Sequence, residues 1–88
     1  MNATRRKAIQ DISEKANNLL SQLREVKQSF ETVRDDEQEY HDNLSESAQE
    51  GDKGEDSERA IESIEEAIGV LEDAVESLDE KVVNIDVE

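Results

Sequence analysis

Apolar residues recur along the first half of the chain at alternating intervals of three and four residues, which places their side chains on one face of an α-helix. The alternation continues for about five heptads, interrupted by one polar member, Glu37. A pattern sustained this long is typical of the a and d positions of a coiled coil. The apolar members of this first seam are Ile9, Ile12, Ala16, Leu19, Leu23, Val26, Phe30, Val33, Tyr40 and Leu44.

The second half of the chain repeats the pattern after a polar segment that contains Gly51 and Gly54. Glycines among turn-forming residues predict a chain reversal there, and Asp56 or Ser57 is suited to cap the helix that follows. The second seam consists of Ile61, Ile64, Ile68, Leu71, Val75, Leu78, Val82 and Ile85. The sequence therefore predicts one all-α domain over residues 1–88: a helix at about 4–49, a turn at about 50–56, a helix at about 57–83 and a frayed tail at 84–88.

The two helices are predicted to form a two-helix antiparallel coiled-coil hairpin, because the residues that flank their seams carry complementary charges. An exposed ion pair contributes only about 0.2–1 kcal/mol, so such pairs determine the register more than the stability. Three alanines spaced by seven, Ala60, Ala67 and Ala74, would line the opposite side. The predicted register pairs are Lys27 with Asp79, Arg34 with Glu72, and His41 with Glu65.

This register leaves the start of the first helix without a partner, since the second helix ends first. An uncovered apolar stripe on a protein surface usually marks an interface. We therefore expect an overhanging first helix that self-associates into a homodimer or higher oligomer, with fraying of the first turns as the alternative. The overhanging residues are Ile9, Ile12, Ala16, Leu19 and Leu20.

Charge is distributed unevenly along the chain, whose net charge is −15. Residues 1–34 carry seven Lys or Arg and four Asp or Glu, whereas residues 35–88 carry three and twenty-one. The carboxylates of the second helix recur on outward positions, forming a face that repels nucleic acid and attracts basic proteins. The residues of this predicted partner-binding face are Glu62, Glu66, Asp73, Glu76 and Glu80.

The composition argues against catalysis and against a bound cofactor or metal. An 88-residue chain that is 33% apolar and 2% aromatic is too small and polar to enclose a catalytic pocket. It has no cysteine for a disulfide or thiolate site. The acidic residues near the turn lack the ligand spacing of an EF-hand, and the single histidine, His41, has no neighbouring nucleophile. We expect no enzyme activity and no cofactor.

No segment of the sequence has the length and hydropathy of a membrane span, and the basic start is not followed by the apolar stretch of a signal peptide. The sequence therefore predicts a cytoplasmic protein that binds neither membrane nor nucleic acid directly. Its partner is expected to be another protein, with a basic surface.

Residues 34–43, RDDEQEYHDN, and residues 60–68, AIESIEEAI, resemble segments of small acidic helical-hairpin proteins of phages and prophages. Those proteins carry an RDEEQEY-DN segment followed by AIEALEEAI repeats, and the resemblance extends over about residues 34–78. It implies a phage-encoded accessory protein in the host cytoplasm, without a defined activity. The predicted function is an interaction module that binds another protein. The alternative is a DNA mimic that inhibits a nucleic-acid-binding host defence complex.

Overall fold

The structure is a computed structural model that describes residues 2–85. Most of these residues are helical and none of them forms a strand, which confirms the predicted all-α class. The chain forms α1 over Ala3–Asp42, α2 over Glu46–Glu50 and α3 over Asp52–Leu78, followed by a π-helical segment over Asp79–Val83. The result is a rod whose Cα extents are 68 × 14 × 13 Å.

Side chains cap α1 at both ends. The Oδ1 atom of Asn2 accepts a hydrogen bond from the Arg5 amide at 2.9 Å. At the other end, Nε2 of Gln49 donates to the carbonyl oxygens of His41 at 3.2 Å and Leu44 at 3.1 Å. The last turn of a helix leaves carbonyl groups without intrahelical partners. The Gln49 side chain therefore binds the end of α1 to the start of the chain reversal.

The chain reverses earlier than the sequence predicts. The predicted turn spans residues 50–56, whereas α1 already ends at Asp42 and α2 is inserted before α3. Ser45 is the N-cap of α2, because its hydroxyl accepts a hydrogen bond from the Ala48 amide at 3.3 Å. Most of the predicted turn is consequently helical, as α3 starts directly after Gly51.

Gly54 lies inside α3 and is buried, because α2 packs directly over it. A Cβ atom at this position would overlap the backbone of Gln49. Glycine is the residue that permits such a close approach of two backbones. Gly54 is therefore not the turn residue that the sequence predicts but a helical residue whose missing side chain lets α2 pack against α3.

The helix cap predicted at Asp56 or Ser57 is wrong, because α3 has already begun at Asp52. Its N-cap is Gly51, which has no side chain to accept a hydrogen bond. Ser57 is instead buried in α3 and only 2% exposed. Within residues 2–85 its hydroxyl has no hydrogen-bond partner.

The long helices α1 and α3 contact each other, and the ion pairs that join them connect later residues of α1 with earlier residues of α3. The Nζ atom of Lys27 lies 3.4 Å from Oε1 of Glu72, seven residues before the predicted partner Asp79. The Nε2 atom of His41 lies 3.2 Å from Oε1 of Glu58, seven residues before the predicted partner, Glu65. The register is therefore displaced by one heptad. The third predicted pair is also absent from the described residues, since the Arg34 guanidinium contacts its neighbour Asp35 at 3.2 Å.

The position of the chain reversal accounts for this displacement. A shift by one heptad keeps apolar positions opposite apolar positions, so the seam pattern alone does not distinguish the two registers. Because α1 ends at Asp42 and α3 begins at Asp52, α3 lies alongside α1 from an earlier residue than a turn at 50–56 would allow.

The displaced register covers the start of α1 in part. The predicted overhang is therefore wrong for Ile9, Ala16 and Leu20, whereas Ile12 and Leu19 are exposed. Ala16 is buried and Leu20 is 1% exposed. Ile9 is half-buried and lies with Val82 and Ile85 along one apolar groove. The end of α3 and the π-helical segment therefore reach the first turns of α1.

The π-helical segment ends at Val83, where Nδ2 of Asn84 donates to the Asp79 carbonyl at 2.7 Å. The predicted frayed tail begins here, and its residues 86–88 lie outside the described residues. No helix within residues 2–85 combines the length and the apolar character needed to cross a membrane.

Candidate functional site

One row of apolar side chains on α1 stays exposed although α1 and α3 are packed together. Their exposed fractions lie between 45% and 61%. They occupy every seventh residue, so the row follows one side of α1 for about 42 Å at 1.5 Å per residue. These are d positions of the predicted seam. Burial against α3 is predicted for Val26, Val33 and Tyr40 and is wrong, whereas Ile12 and Leu19 are predicted to be uncovered and are exposed. We call them the apolar stripe: Ile12, Leu19, Val26, Val33 and Tyr40.

The stripe is exposed because α1 is rotated relative to the predicted seam. Leu20 is 1% exposed, whereas its neighbour Leu19 is 58% exposed. In this orientation the residues that directly follow the stripe residues face α3, and two of them, Lys27 and His41, contact carboxylates of α3. The buried and half-buried residues on this side are Ile9, Ser13, Ala16, Leu20, Leu23, Lys27, Phe30, Arg34, Glu37, His41 and Leu44.

A row of small side chains on α3 shares the side of the helix pair that carries the apolar stripe. Consecutive helical residues point about 100° apart, so Val26 lies on the other side of the α1–α3 contact from Lys27. By the same rotation, Ala74 points almost opposite to Glu72 on α3. We call Ala60, Ala67 and Ala74 the alanine row, of which Ala60 is exposed and the other two are half-buried.

The apolar stripe and the alanine row together form what we call the neutral face. The outer neighbours of the alanine row carry no charge: Ser63, Val70 and Ser77. The outer neighbours of the apolar stripe are the uncharged Gln22 and Ser29 in its middle, and the charged Lys15 and Asp36 on either side of them. A row of exposed apolar side chains of this kind marks an interaction site more often than an ordinary surface.

The outward side of α3 carries a continuous set of carboxylates. Each is exposed, and within residues 2–85 none takes part in an ion pair. They point between about 100° and 160° around α3 from the alanine row, and so away from the neutral face. We call this set the acidic face, and its residues are those predicted from the sequence: Glu62, Glu66, Asp73, Glu76 and Glu80.

The Lys27 amino group lies between two carboxylates at the charged edge of the helix pair. It is 3.0 Å from Oε1 of Glu31 on the same helix and 3.4 Å from Oε1 of Glu72 on α3. The hydrogen bond to Glu31 is the main cause that raises the pKa of Lys27 above its usual 10.5, Glu72 adds to it, and burial opposes it. The ammonium charge of Lys27 is therefore held by both helices.

Sequence reasoning located the acidic face but missed the exposure of Val26, Val33 and Tyr40. The signal that could have revealed it is the adjacent pair Leu19 and Leu20, since either residue can occupy the seam. In the part of the chain that the structure describes, no group of three or more His, Cys, Asp or Glu side chains is placed to hold a metal ion.

No protein-family model, curated protein or solved structure matches this chain.

Proposed function

We propose that this chain is a helical-hairpin interaction module whose two long helices pair as an antiparallel coiled coil, and that it acts by binding another protein through the acidic face. The observation that carries the proposal is the exposure of five carboxylates along one side of α3, without ion-pair partners in residues 2–85. Two other carboxylates of α3, those of Glu58 and Glu72, are paired with side chains of α1. The proposed module has no catalytic activity and needs no cofactor.

The chemistry of the acidic face favours a partner with a basic surface. Complementary potentials accelerate the encounter of two proteins and orient them, and like charges exclude wrong partners. The same charges repel the phosphates of nucleic acid, so direct binding to DNA or RNA is not part of the proposal. The resemblance of residues 34–78 to phage and prophage proteins supports an accessory role in the cytoplasm of a host cell.

The proposed module is a homo-oligomer. Only four apolar side chains are buried within the described residues: Ala16, Leu20, Ile61 and Ile68. Small domains with so little core are usually stabilised by disulfides, metals or oligomerisation. The sequence contains no cysteine, and oligomerisation is the means that an exposed apolar stripe offers.

The proposal is tested by neutralising the acidic face and comparing protein capture from cells that express the chain. The variant carries E62Q, E66Q, D73N, E76Q and E80Q. The matched control removes five exposed carboxylates elsewhere, through E14Q, E25Q, D35N, E39Q and E46Q. We expect the wild type and the control to capture the same partner at low salt and the acidic-face variant to lose it. Rising salt should release the partner, because exposed charges are screened. Capture that survives neutralisation would contradict the proposal.

A second function, mimicry of DNA, is favoured by the density of carboxylates on α3. Residues 58–80 contain nine Asp or Glu. At 1.5 Å per residue this is about one carboxylate per 3.7 Å, close to the spacing of about 3.4 Å per phosphate along one DNA strand. Mimicry predicts that the captured partner binds duplex DNA and that added duplex DNA displaces the chain from it. A partner without affinity for DNA would exclude this second function.

A further inference from the structure

We infer that the neutral face binds a second copy of this chain, with the apolar stripe of each copy packed against the alanine row of the other. The inference rests on the homo-oligomer of the proposed function, and it adds the surface and the symmetry of that oligomer. The resulting assembly is a four-helix bundle with an acidic face on each outer side.

The charge distribution favours a second copy as the occupant of the neutral face. Each chain carries a net charge of −15, so two copies repel each other wherever their carboxylates meet. The acidic face points away from the neutral face, whereas the alanine row has only uncharged outer neighbours. Two copies can therefore approach through their neutral faces with the least repulsion, while a basic partner would be drawn to α3's outer side.

The size of the neutral face matches what a stable complex requires. The apolar stripe is about 42 Å long, and two helices side by side are about 20 Å wide. Their product is about 800 Å², which equals the area that each partner buries in a typical specific interface. Five half-exposed apolar side chains would lose their contact with water in this interface.

The large side chains of the apolar stripe and the small side chains of the alanine row lie at the same positions along the helix axis. The two observed pairs, Lys27 with Glu72 and His41 with Glu58, have residue numbers that each add up to 99. Residues of α1 and α3 whose numbers add up to about this value therefore lie level with each other. Members of the stripe and of the alanine row meet this condition to within one residue: Val26 with Ala74, Val33 with Ala67, and Tyr40 with Ala60.

A dimer whose twofold axis runs parallel to the helices would bring these level residues of the two copies together. Rotation about such an axis does not change the position of a residue along the helix axis. It places α1 of one copy next to α3 of the other copy. Each large residue of the stripe then faces an alanine of the second copy. Neighbouring helices are antiparallel throughout, as in up-and-down four-helix bundles, and small residues opposite large ones allow close packing.

The first experiment measures the mass of the purified protein by sedimentation equilibrium, for the wild type, V33D and T32D. Val33 belongs to the stripe, whereas Thr32 is exposed on an adjacent side of α1, so T32D adds the same charge outside the interface. We expect the wild type and T32D to sediment with the mass of two chains. V33D should dissociate at least about 100-fold more readily, because it buries an unpaired charge. A wild type with the mass of one chain, or a V33D dimer as stable as the wild type, would overturn the inference.

The second experiment tests the arrangement on folded protein, whether or not V33D folds. The chain has no native cysteine, so single variants can be cross-linked without background. A mixture of V33C with a mass-tagged A67C is treated with a short thiol-reactive cross-linker. The expected product joins one V33C chain to one A67C chain, and the exposed D73C, on the acidic face, should give no product with V33C. Cross-links that join only V33C to V33C would overturn the packing of stripe on alanine row.

Both experiments use the isolated protein. Their failure would therefore leave the acidic-face experiment, which depends on a captured partner, unaffected. Conversely, loss of the proposed partner binding would not change the mass or the cross-linking pattern of the purified chain.

Discussion

The backbone of Gln49 lies directly against the Cα atom of Gly54, while the Gln49 side chain donates hydrogen bonds to the carbonyl oxygens of His41 and Leu44. This one residue of α2 therefore contacts both the end of α1 and the start of α3. Because these contacts lie where α3 begins to run beside α1, they help to set which residue of α3 lies opposite each residue of α1.

Substitution of the two helical glycines should change stability in opposite directions. G54A places a Cβ atom against the Gln49 backbone and should lower the free energy of unfolding by about 1–3 kcal/mol. G69A is the matched control, because a Cβ at Gly69 meets no atom within 4 Å. Alanine is the better helix former, so G69A should raise the free energy of unfolding by about 0.5–1 kcal/mol. Urea unfolding followed by circular dichroism measures both, and a stabilised G54A would contradict the observed packing of α2.

Removal of the Gln49 amide should weaken the chain reversal. Q49A leaves the carbonyl groups of His41 and Leu44 without their side-chain donor and should cost about 1–2 kcal/mol of unfolding free energy. Q38A removes an exposed bond from Gln38 to Asp42 and should change stability by less than about 0.5 kcal/mol. Equal effects of the two substitutions would show that Gln49 does not hold the end of α1.

The buried hydroxyl of Ser57 should make the native state less stable than an alanine would. Ser57 is 2% exposed, and its Oγ has no hydrogen-bond partner in residues 2–85. S57A removes this desolvated polar group and should raise the free energy of unfolding by about 1 kcal/mol more than S63A does. Ser63 is exposed on the same helix, so S63A measures the gain from helix propensity alone. A destabilised S57A would indicate that the hydroxyl has a stabilising partner.

The ion pairs of Lys27 predict a loss of stability in alkaline solution. The carboxylates of Glu31, foremost, and of Glu72 raise the pKa of Lys27 above 10.5 in the folded state. A raised pKa contributes stability that is complete below the unfolded value and is lost as the pH rises through the folded value. The difference in melting temperature between the wild type and K27M should therefore shrink above pH 10.5. The difference between K27R and K27M should persist, because arginine stays protonated. A pH-independent wild-type difference would contradict the role of the Lys27 charge.

The helical class was predictable because the alternation of three and four persists through both halves of the sequence. The register was not, since Lys27 finds an acidic partner both at Asp79 and, one heptad earlier, at Glu72. Glycine also has two meanings that a sequence does not separate: Gly51 precedes a helix, whereas Gly54 lies within one and admits a neighbouring backbone.

The acidic face could be located from its spacing alone, because it lies on the outward side of α3 in either register. The apolar stripe could not. Its exposure depends on a rotation of α1 that buries Leu20 in place of Leu19, and both residues are leucine. Leu19 and Leu20 suit the seam equally well, so the rotation of α1 depends on the contacts that Lys27 and His41 make with α3. Such contacts between helices cannot be read from the sequence.

The pairing of Lys27 with Glu72 underlies the neutral face, since it sets which residues of the alanine row lie level with the apolar stripe. Its most direct test is the distance between spin labels in two double variants, K27C/E72C and K27C/D79C, each diluted with unlabelled protein and measured by double electron–electron resonance. The structure predicts the shorter distance for K27C/E72C, with K27C/D79C displaced along α3 by seven residues, about 10 Å. A shorter distance in K27C/D79C would contradict the register and the match between the apolar stripe and the alanine row that is derived from it.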